Sequence, residues 1–589
     1  MLSPRDRLYF LHIPKTAGTT LKPILDARFD EAEICPAELW RDLVKLPWDA
    51  ISEYRFFRGH FGGAGLATLL PEPPVTITFL RRTIPFVLST YRFIRREPNT
   101  RFHAIAASMA FSDFVADPRP RRNLSNVQVR NLSFTLATDP RPELAKVEQK
   151  TPWDIATRLE QLATWLPPED KLERATTRLR AMPFFGLTDR FDESMALLAY
   201  TFGWPPAGRV QPLMVAPAGS ARPDVPEDIA ERIRSFNTLD ARLLEQAEPL
   251  FEGRVAAMLG ELAELARPGE RPPARYADDP ALVATLLDRH YERAQARHPR
   301  PRAVLVTVDF ARRLDGSGWQ GREGTGFDAS LFRWTGPHTE STLDLPLVAG
   351  TDHRIELRTL NALAPDVLDA LRLVVGGRPV ELELVEGQGR VTRTYRGLIP
   401  QQAIDPGRPF TRLTFLVNRT LSKSSLDPQD PDSRQVGVAF HWIRVEATGK
   451  PAEPPVEPTT ETAAVPAIER SRLPYDPGLV GRWRSIPAPE RVARNVENLR
   501  RCLVPWDELV AAPVPADDRT RFPLLFTHVK KTGGTTLQQV IARNFHAGAL
   551  VALNAPVLYA HPAALFRLSD PVEPARQSRF FVVMGHHKY

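Results

Sequence analysis

Lys15, Thr16, Ala17, Gly18, Thr19 and Thr20 stand directly behind a short apolar run, Leu8–Ile13. That run is too short for a helix and reads as a buried strand, ended by Pro14. From Thr19 on, Leu21, Ile24, Leu25 and Phe29 recur at helical spacing. The segment is therefore a strand, a tight loop eased by Gly18, and a helix N-terminus. A helix start offers unpaired N–H groups and the positive end of the helix dipole. Lys15 adds a full charge, and Thr16, Thr19 and Thr20 add hydroxyl donors. These residues suit a phosphate- or sulfate-bearing ligand. Pro23 removes one backbone donor and is expected near the first helical turn.

Two further groups carry chemistry. His60 lies in Arg58-Gly59-His60-Phe61-Gly62-Gly63, behind a strand candidate at Tyr54–Phe57. A strand end is where open α/β sheets place their chemistry, and a neutral imidazole there can accept a proton. Arg81 ends the β-branched run Val75–Leu80. Thr83 and Pro85 open the next helix, and Ser89 lies on it. A guanidinium and a hydroxyl together can hold a phosphate.

In the order His12-Ile13-Pro14-Lys15-Thr16-Ala17-Gly18-Thr19-Thr20-Leu21 the lysine precedes the glycine. A Walker A loop has Lys-Ser/Thr after its second glycine, so this is a different motif. It resembles the 5'-phosphosulfate loop of sulfotransferases that use 3'-phosphoadenosine 5'-phosphosulfate (PAPS). It looks most like the branch containing the heparan sulfate 2-O-sulfotransferases and their bacterial relatives. The resemblance covers about residues 5–258 and implies an α/β, P-loop-like domain with PAPS as sulfuryl donor and no metal. By the same resemblance, Lys15 and Thr16–Thr20 hold the phosphosulfate and His60 is the general base. Arg81 and Ser89 hold the 3'-phosphate. The implied acceptor is a glycan or another hydroxyl-bearing molecule. Asn126, Gln128 and Arg130 resemble a polar segment of the bacterial relatives and are expected near cofactor or acceptor. The chain departs from the family after Arg81: Arg82 and Thr83 replace an acidic residue and a proline, and Phe86 replaces a frequent arginine.

The chain has 589 residues, 43% hydrophobic and 25% charged, with a net charge of +7. This is the composition of a multidomain globular protein. The mild cationic excess suits an anionic cofactor. No Lys/Arg block with interleaved aromatics points to nucleic acid. Two cysteines, Cys35 and Cys502, exclude a disulfide framework and a cysteine metal site. No apolar window is long enough to span a membrane and no signal region opens the chain, so a cytoplasmic location is expected.

The reading divides the chain into a sulfotransferase domain (1–260), a helical linker (261–299), an all-β sandwich of jelly-roll type (300–448), a Pro-rich linker (449–476) and a partial second sulfotransferase unit (477–589). The sandwich follows from short alternating apolar runs separated by Gly, Pro and Asp turns. Its Trp319, Trp334 and Trp442 either fill the core or stack on sugar. The second unit follows from an internal repeat. Leu524–Leu537 reads LLFTHVKKTGGTTL, at a constant offset of 516 residues that takes His12 to His528 and Lys15 to Lys531. The repeated loop is Lys531, Thr532, Gly533, Gly534, Thr535 and Thr536, and a second Gly-His follows at His586. With no counterpart of the third strand and its arginine, this unit is expected to be truncated and a poor PAPS binder. Two rival functions are a non-catalytic glycan-binding protein with degenerate sulfotransferase units, and an ATP-dependent phosphotransferase.

Overall fold

The computed structural model describes residues 2–449 except 4, 145–151, 207–224, 325–330, 388, 390, 428 and 431; beyond 449 it describes three strands only. In the N-terminal region β1 (Leu8–Leu11), β2 (Phe56–Gly59), β3 (Val75–Leu80) and β4 (Phe184–Leu187) form a parallel sheet in the order β2-β1-β3-β4. Every residue of β1 and β4 is buried, as expected for parallel strands covered on both faces. β2 begins two residues later than its apolar run suggests and takes in Arg58 and Gly59. Gly59 is required there, because a Cβ would lie 2.2 Å from the carbonyl oxygen of Glu38.

The helices that bear on the site are α1 (Gly18–Asp26), α2 (Thr83–Arg96), α3 (Val127–Ser133), α4 (Pro168–Ala181), α5 (Phe191–Phe202), α6 (Thr238–Ala263) and α7 (Pro280–Arg297). α1 buries Leu21 and Leu25, and α2 buries Phe86, Val87, Tyr91 and Ile94. Each such side chain contributes about 1.5–3 kcal/mol. Pro23 lies inside α1 rather than in its first turn, and lines a cleft against the sandwich.

The region 261–299 is not a simple linker. Val283, Leu286 and Leu287 of α7 belong to the N-terminal core, and Tyr291 packs on Phe410 of the sandwich. Arg412 reaches Asp288 of α7 at 2.7 Å. α7 is thus a wedge held by both regions.

The sandwich has two antiparallel sheets. One runs Arg378–Val380, Arg372–Val375, Thr411–Leu416, Glu340–Leu345. The other runs Glu383–Glu386, Arg393–Ile399, His353–Ala362, Val438–Ala447, Leu331–Trp334, Glu323–Gly324, with Leu305–Val308 also paired to Val438–Ala447. Between them lies one core, with Leu343, Leu373 and Phe415 of the first sheet against Ile355, Leu357, Phe440 and Ile443 of the second. Trp334 is buried. Trp319 donates from Nε1 to the Thr342 carbonyl and meets Phe415 and Phe440 edge-on. Trp334 packs with Val436 and Ala439, while Trp319 is half-buried against the core and lines the cleft beside Pro23; Trp442 is half-buried as well.

The sandwich is docked on the end of α1. The Leu314 N–H donates to the Ala27 carbonyl at 2.7 Å, and Arg28 donates to the carbonyls of Leu314 and Gly316. Arg322 donates to the carbonyls of Asp26 and Phe29.

The three distal strands form a parallel sheet in the order 524–527, 582–585, 550–553. Thr527 lies opposite Gly585 as Leu11 lies opposite Gly59, and Leu550 lies opposite Val582 as Ile34 lies opposite Phe56. The offset that relates the two loops also takes Leu8 to Leu524 and Ile34 to Leu550. The repeat in the sequence is thus a repeat of backbone pairing. Lys531, Thr532, Gly533, Gly534, Thr535, Thr536 and His586 lie outside the described residues, as does the linker from 450 on.

Candidate functional site

His12, His60, Arg81 and Thr188 each follow the last residue of one of the four parallel strands, so the sheet delivers them to one edge. The loop from β1 to α1 crosses that edge. Lys15 (φ 65°) and Ala17 (φ 72°) both adopt the left-handed region, which neither residue favours. Such strain costs about 1–3 kcal/mol per residue and persists where surrounding structure enforces it, commonly at ligand clamps. Alternating left-handed residues turn successive N–H groups toward one concavity. Among the described residues, the backbone N–H groups of Lys15, Thr16, Ala17, Gly18 and Thr19 have no backbone or side-chain acceptor. The carbonyl of Ala17 accepts from Thr20 and Leu21, which starts the helix.

Gly18 is fixed by its neighbour. A Cβ there would fall 1.9 Å from Nε2 of His12. The His12 ring fills that space, stacked on Phe10 and 4.5 Å from the His60 ring, centroid to centroid. Burial, and then the nearby His60, hold His12 neutral. Its Nδ1 is buried without a hydrogen-bond partner.

His60 points Nδ1 at the carbonyl oxygen of His12, 2.6 Å away. A carbonyl only accepts, so the proton of neutral His60 sits on Nδ1 and the lone pair on Nε2. Burial lowers the pKa of His60, with the His12 hydrogen bond opposing. Its backbone N–H donates to Glu38, whose carboxylate holds Lys22 at 2.8 Å.

Lys15 lies with Nζ 4.3 Å from the centre of the Phe93 ring on α2. Burial, then Arg96 and Arg81, lower its pKa to about 8. It is a cation held among cations, the field an anionic ligand would relieve. Arg81 Nη1 donates to the Lys15 carbonyl at 3.0 Å, which ties strand β3 to the loop. The Gln128 side-chain amide accepts from the Arg81 N–H and donates to the Arg81 carbonyl, at 2.9 and 2.8 Å. The N–H groups of Gln128 and Val129 in turn donate to buried Asp240.

Several expected roles change. The Thr16 hydroxyl is buried and donates to the Ile13 carbonyl, so it shapes the loop and leaves only the Thr16 N–H without an acceptor. Thr20 is buried and already partnered, whereas Thr19 is exposed. Asn126 accepts from the N–H groups of Leu239 and Asp240, and Arg130 donates to the carbonyls of Arg122 and Ser125. Gln128 is therefore framework, and Asn126 Oδ1 and Arg130 Nη1 are engaged with the protein's own backbone. Ser89 is half-buried on α2, two turns beyond Arg81. Arg82 turns away to Glu248 on α6. The contribution missed by spacing alone is that of His12. Its recurrence at His528 was the available signal.

No family model and no curated protein matches the chain. Among solved structures, a family 35 carbohydrate binding module from Clostridium thermocellum is 9% identical and covers 25% of this chain and 96% of its own, with a TM-score of 0.15. A family GH115 4-O-methyl-alpha-glucuronidase with specificity for decorated arabinogalactans is 11% identical and covers 62% of this chain and 42% of its own, with a TM-score of 0.16. Likeness of this extent carries no argument about activity. No helix among the described residues is long and apolar enough to cross a membrane.

Proposed function

We propose that the chain is a sulfotransferase that moves a sulfuryl group from PAPS to an acceptor hydroxyl, on a glycan. The observation that carries this reading is the strained loop with five successive unclaimed N–H groups at Lys15–Thr19, beside the Lys15 ammonium. That donor set fits a phosphosulfate, a compact group with many acceptor oxygens and negative charge. The parallel sheet, with loop, histidine and arginine following successive strand ends, supports a P-loop-like domain. When bound, PAPS supplies an activated sulfuryl group on a phosphate leaving group.

The protein's own residues divide the remaining work. The loop N–H groups and Lys15 hold the phosphosulfate oxygens and neutralise charge that develops on the leaving phosphate. His60, with its proton fixed on Nδ1, offers Nε2 to the acceptor hydroxyl as general base. Arg81 braces the loop through the Lys15 carbonyl and, with Ser89, fixes the 3'-phosphate. His12 positions His60 through its carbonyl and closes the space above Gly18.

Turnover tests the reading. The full chain, PAPS and a panel of polysaccharides should release adenosine 3',5'-bisphosphate with label transfer to one acceptor. Release should fail with His60→Asn. Absence of transfer to any hydroxyl acceptor by folded protein that binds PAPS would replace catalysis with binding alone.

A further inference from the structure

The opposite end of the parallel strands carries a second group of arginines and histidines. Helices α5, α6 and α7, together with Pro183 at the start of β4, enclose a cavity of about 590 Å³. Its lining includes Arg254 of α6, His290 and Arg297 of α7, and His298, with Tyr200 and Thr201 of α5. None of its lining residues is an aspartate or glutamate. Pro183 and Thr201 also line an adjoining cavity of about 600 Å³, whose walls include Val75 and Thr76 at the start of β3. Both cavities therefore lie by the strand starts, whereas Lys15 and His60 follow the strand ends.

Among the described residues no carboxylate forms an ion pair with Arg254 or Arg297. Arg254 donates from Nη2 to the Arg180 carbonyl and stacks 5.0 Å from the Phe185 ring, yet its Nη1 is buried without a partner. A guanidinium that keeps an unpaired N–H in the wall leaves the cavity with positive charge that no carboxylate there offsets. His290 bonds through Nε2 to the Tyr200 carbonyl at 3.2 Å and lies 4.8 Å from the Tyr200 ring, which makes a flat wall. Burial first, and Arg297 and Arg293 among the nearby charges, lower the pKa of His290, with Glu261 opposing. Glu261 itself is engaged with the Tyr200 hydroxyl.

We propose that this cavity is a second oxyanion site, which takes a phosphate- or sulfate-bearing ligand between Arg254, Arg297 and His298. It is separate from the phosphosulfate loop and stands whether or not the chain transfers sulfuryl groups. The exposed Arg297 guanidinium and the His298 ring supply the hydrogen bonds, Arg254 adds its charge from the cavity wall, and the Tyr200–His290 wall supplies a surface for the body of the ligand.

The test uses the full chain carrying Lys15→Ala and Lys531→Ala, which removes the lysine charge of both copies of the loop. Calorimetric titrations with inorganic phosphate and, separately, inorganic sulfate should each report one saturable site. Adding Arg297→Ala and His298→Ala should weaken it at least tenfold. Both side chains are exposed, so folding should be unaffected, and a thermal melt checks this. Tighter binding of phosphate than sulfate assigns a phosphate ester, and the reverse assigns a sulfate ester. The same pair of substitutions in the chain with Lys15 and Lys531 intact should leave PAPS binding unchanged. No saturable site in the chain carrying Lys15→Ala and Lys531→Ala, or one untouched by the pair, would overturn the proposal.

Discussion

Lys15 and Ala17 sit in left-handed backbone beside five unclaimed N–H groups, whereas Arg412 and Arg434 of the sandwich each hold two carboxylates at once. The α/β edge leaves backbone donors and the Lys15 charge without acceptors or carboxylate pairs among the described residues. The sandwich engages its polar groups with other protein groups: Arg412 bridges Asp344 and Asp288 of α7, and Arg434 bridges Asp432 and Glu323. Its aromatic rings follow the same rule in part, with Trp334 buried and Trp319 packed edge-on against Phe415 and Phe440. Arg333 is the exception. It is fully buried, with Nε and Nη2 unpaired, in the field of Asp26 at the end of α1. The contrast separates a region whose loop leaves donors unclaimed, as the proposed function requires, from a region that braces the helix starting at that loop.

The largest expected effect breaks the binding side. His60→Asn should lower kcat by roughly 10²–10⁴ while leaving PAPS affinity unchanged, because the base acts on the acceptor. An equal loss in PAPS affinity, measured by titration, would move His60 from catalysis to structure. On the bracing side, Trp319→Ala should cost about 3–5 kcal/mol in denaturant unfolding of the sandwich. Glycan binding by the full chain should not depend on that ring, and a glycan-specific loss in the folded variant would return it to a binding role.

Lys15→Ala should weaken PAPS binding about 10²–10³-fold, as for removal of one preorganised oxyanion partner. The pH dependence sharpens this. Lys15 loses its proton above about pH 8, so affinity should fall between pH 7 and 9 and the dependence should vanish in Lys15→Arg. Stability of the unliganded chain should move the other way. Folded Lys15 holds its proton less tightly than the unfolded lysine at 10.5, so unfolding free energy rises as pH climbs from about 8 toward that value. The smallest effect belongs to Ser89→Ala, about 0.5–1.5 kcal/mol in PAPS binding through one hydroxyl hydrogen bond.

The strand-loop-helix at 8–26 was legible because each local signal agreed: apolar run, proline stop, glycine, helical period. The parallel sheet followed from apolar runs at Leu8–Leu11, Val75–Leu80 and Phe184–Leu187. β2 slipped by two residues because Arg58 and Gly59 break the apolar pattern, yet Gly59 is demanded by the Glu38 backbone. The strand Arg393–Ile399 left no mark either, since its sequence RTYRGLI lacks apolar alternation; it is fixed by pairing with His353–Thr359. Gln128 read as a ligand contact because a polar side chain next to a site looks the same in sequence whether it faces ligand or clamps Arg81. The wedge role of α7 depends on contacts with two distant segments, which no local pattern encodes. The repeat was visible as sequence, and its pairing register shows that the backbone follows it.

The most direct test is calorimetry of the full chain with PAPS and with ATP, in the presence of a chelator, alongside Lys15→Ala and Arg81→Ala. The account predicts saturable PAPS binding, much weaker ATP binding, and loss of PAPS binding in both variants. Folded protein that ignores PAPS, or that binds it equally well without Lys15, would contradict it.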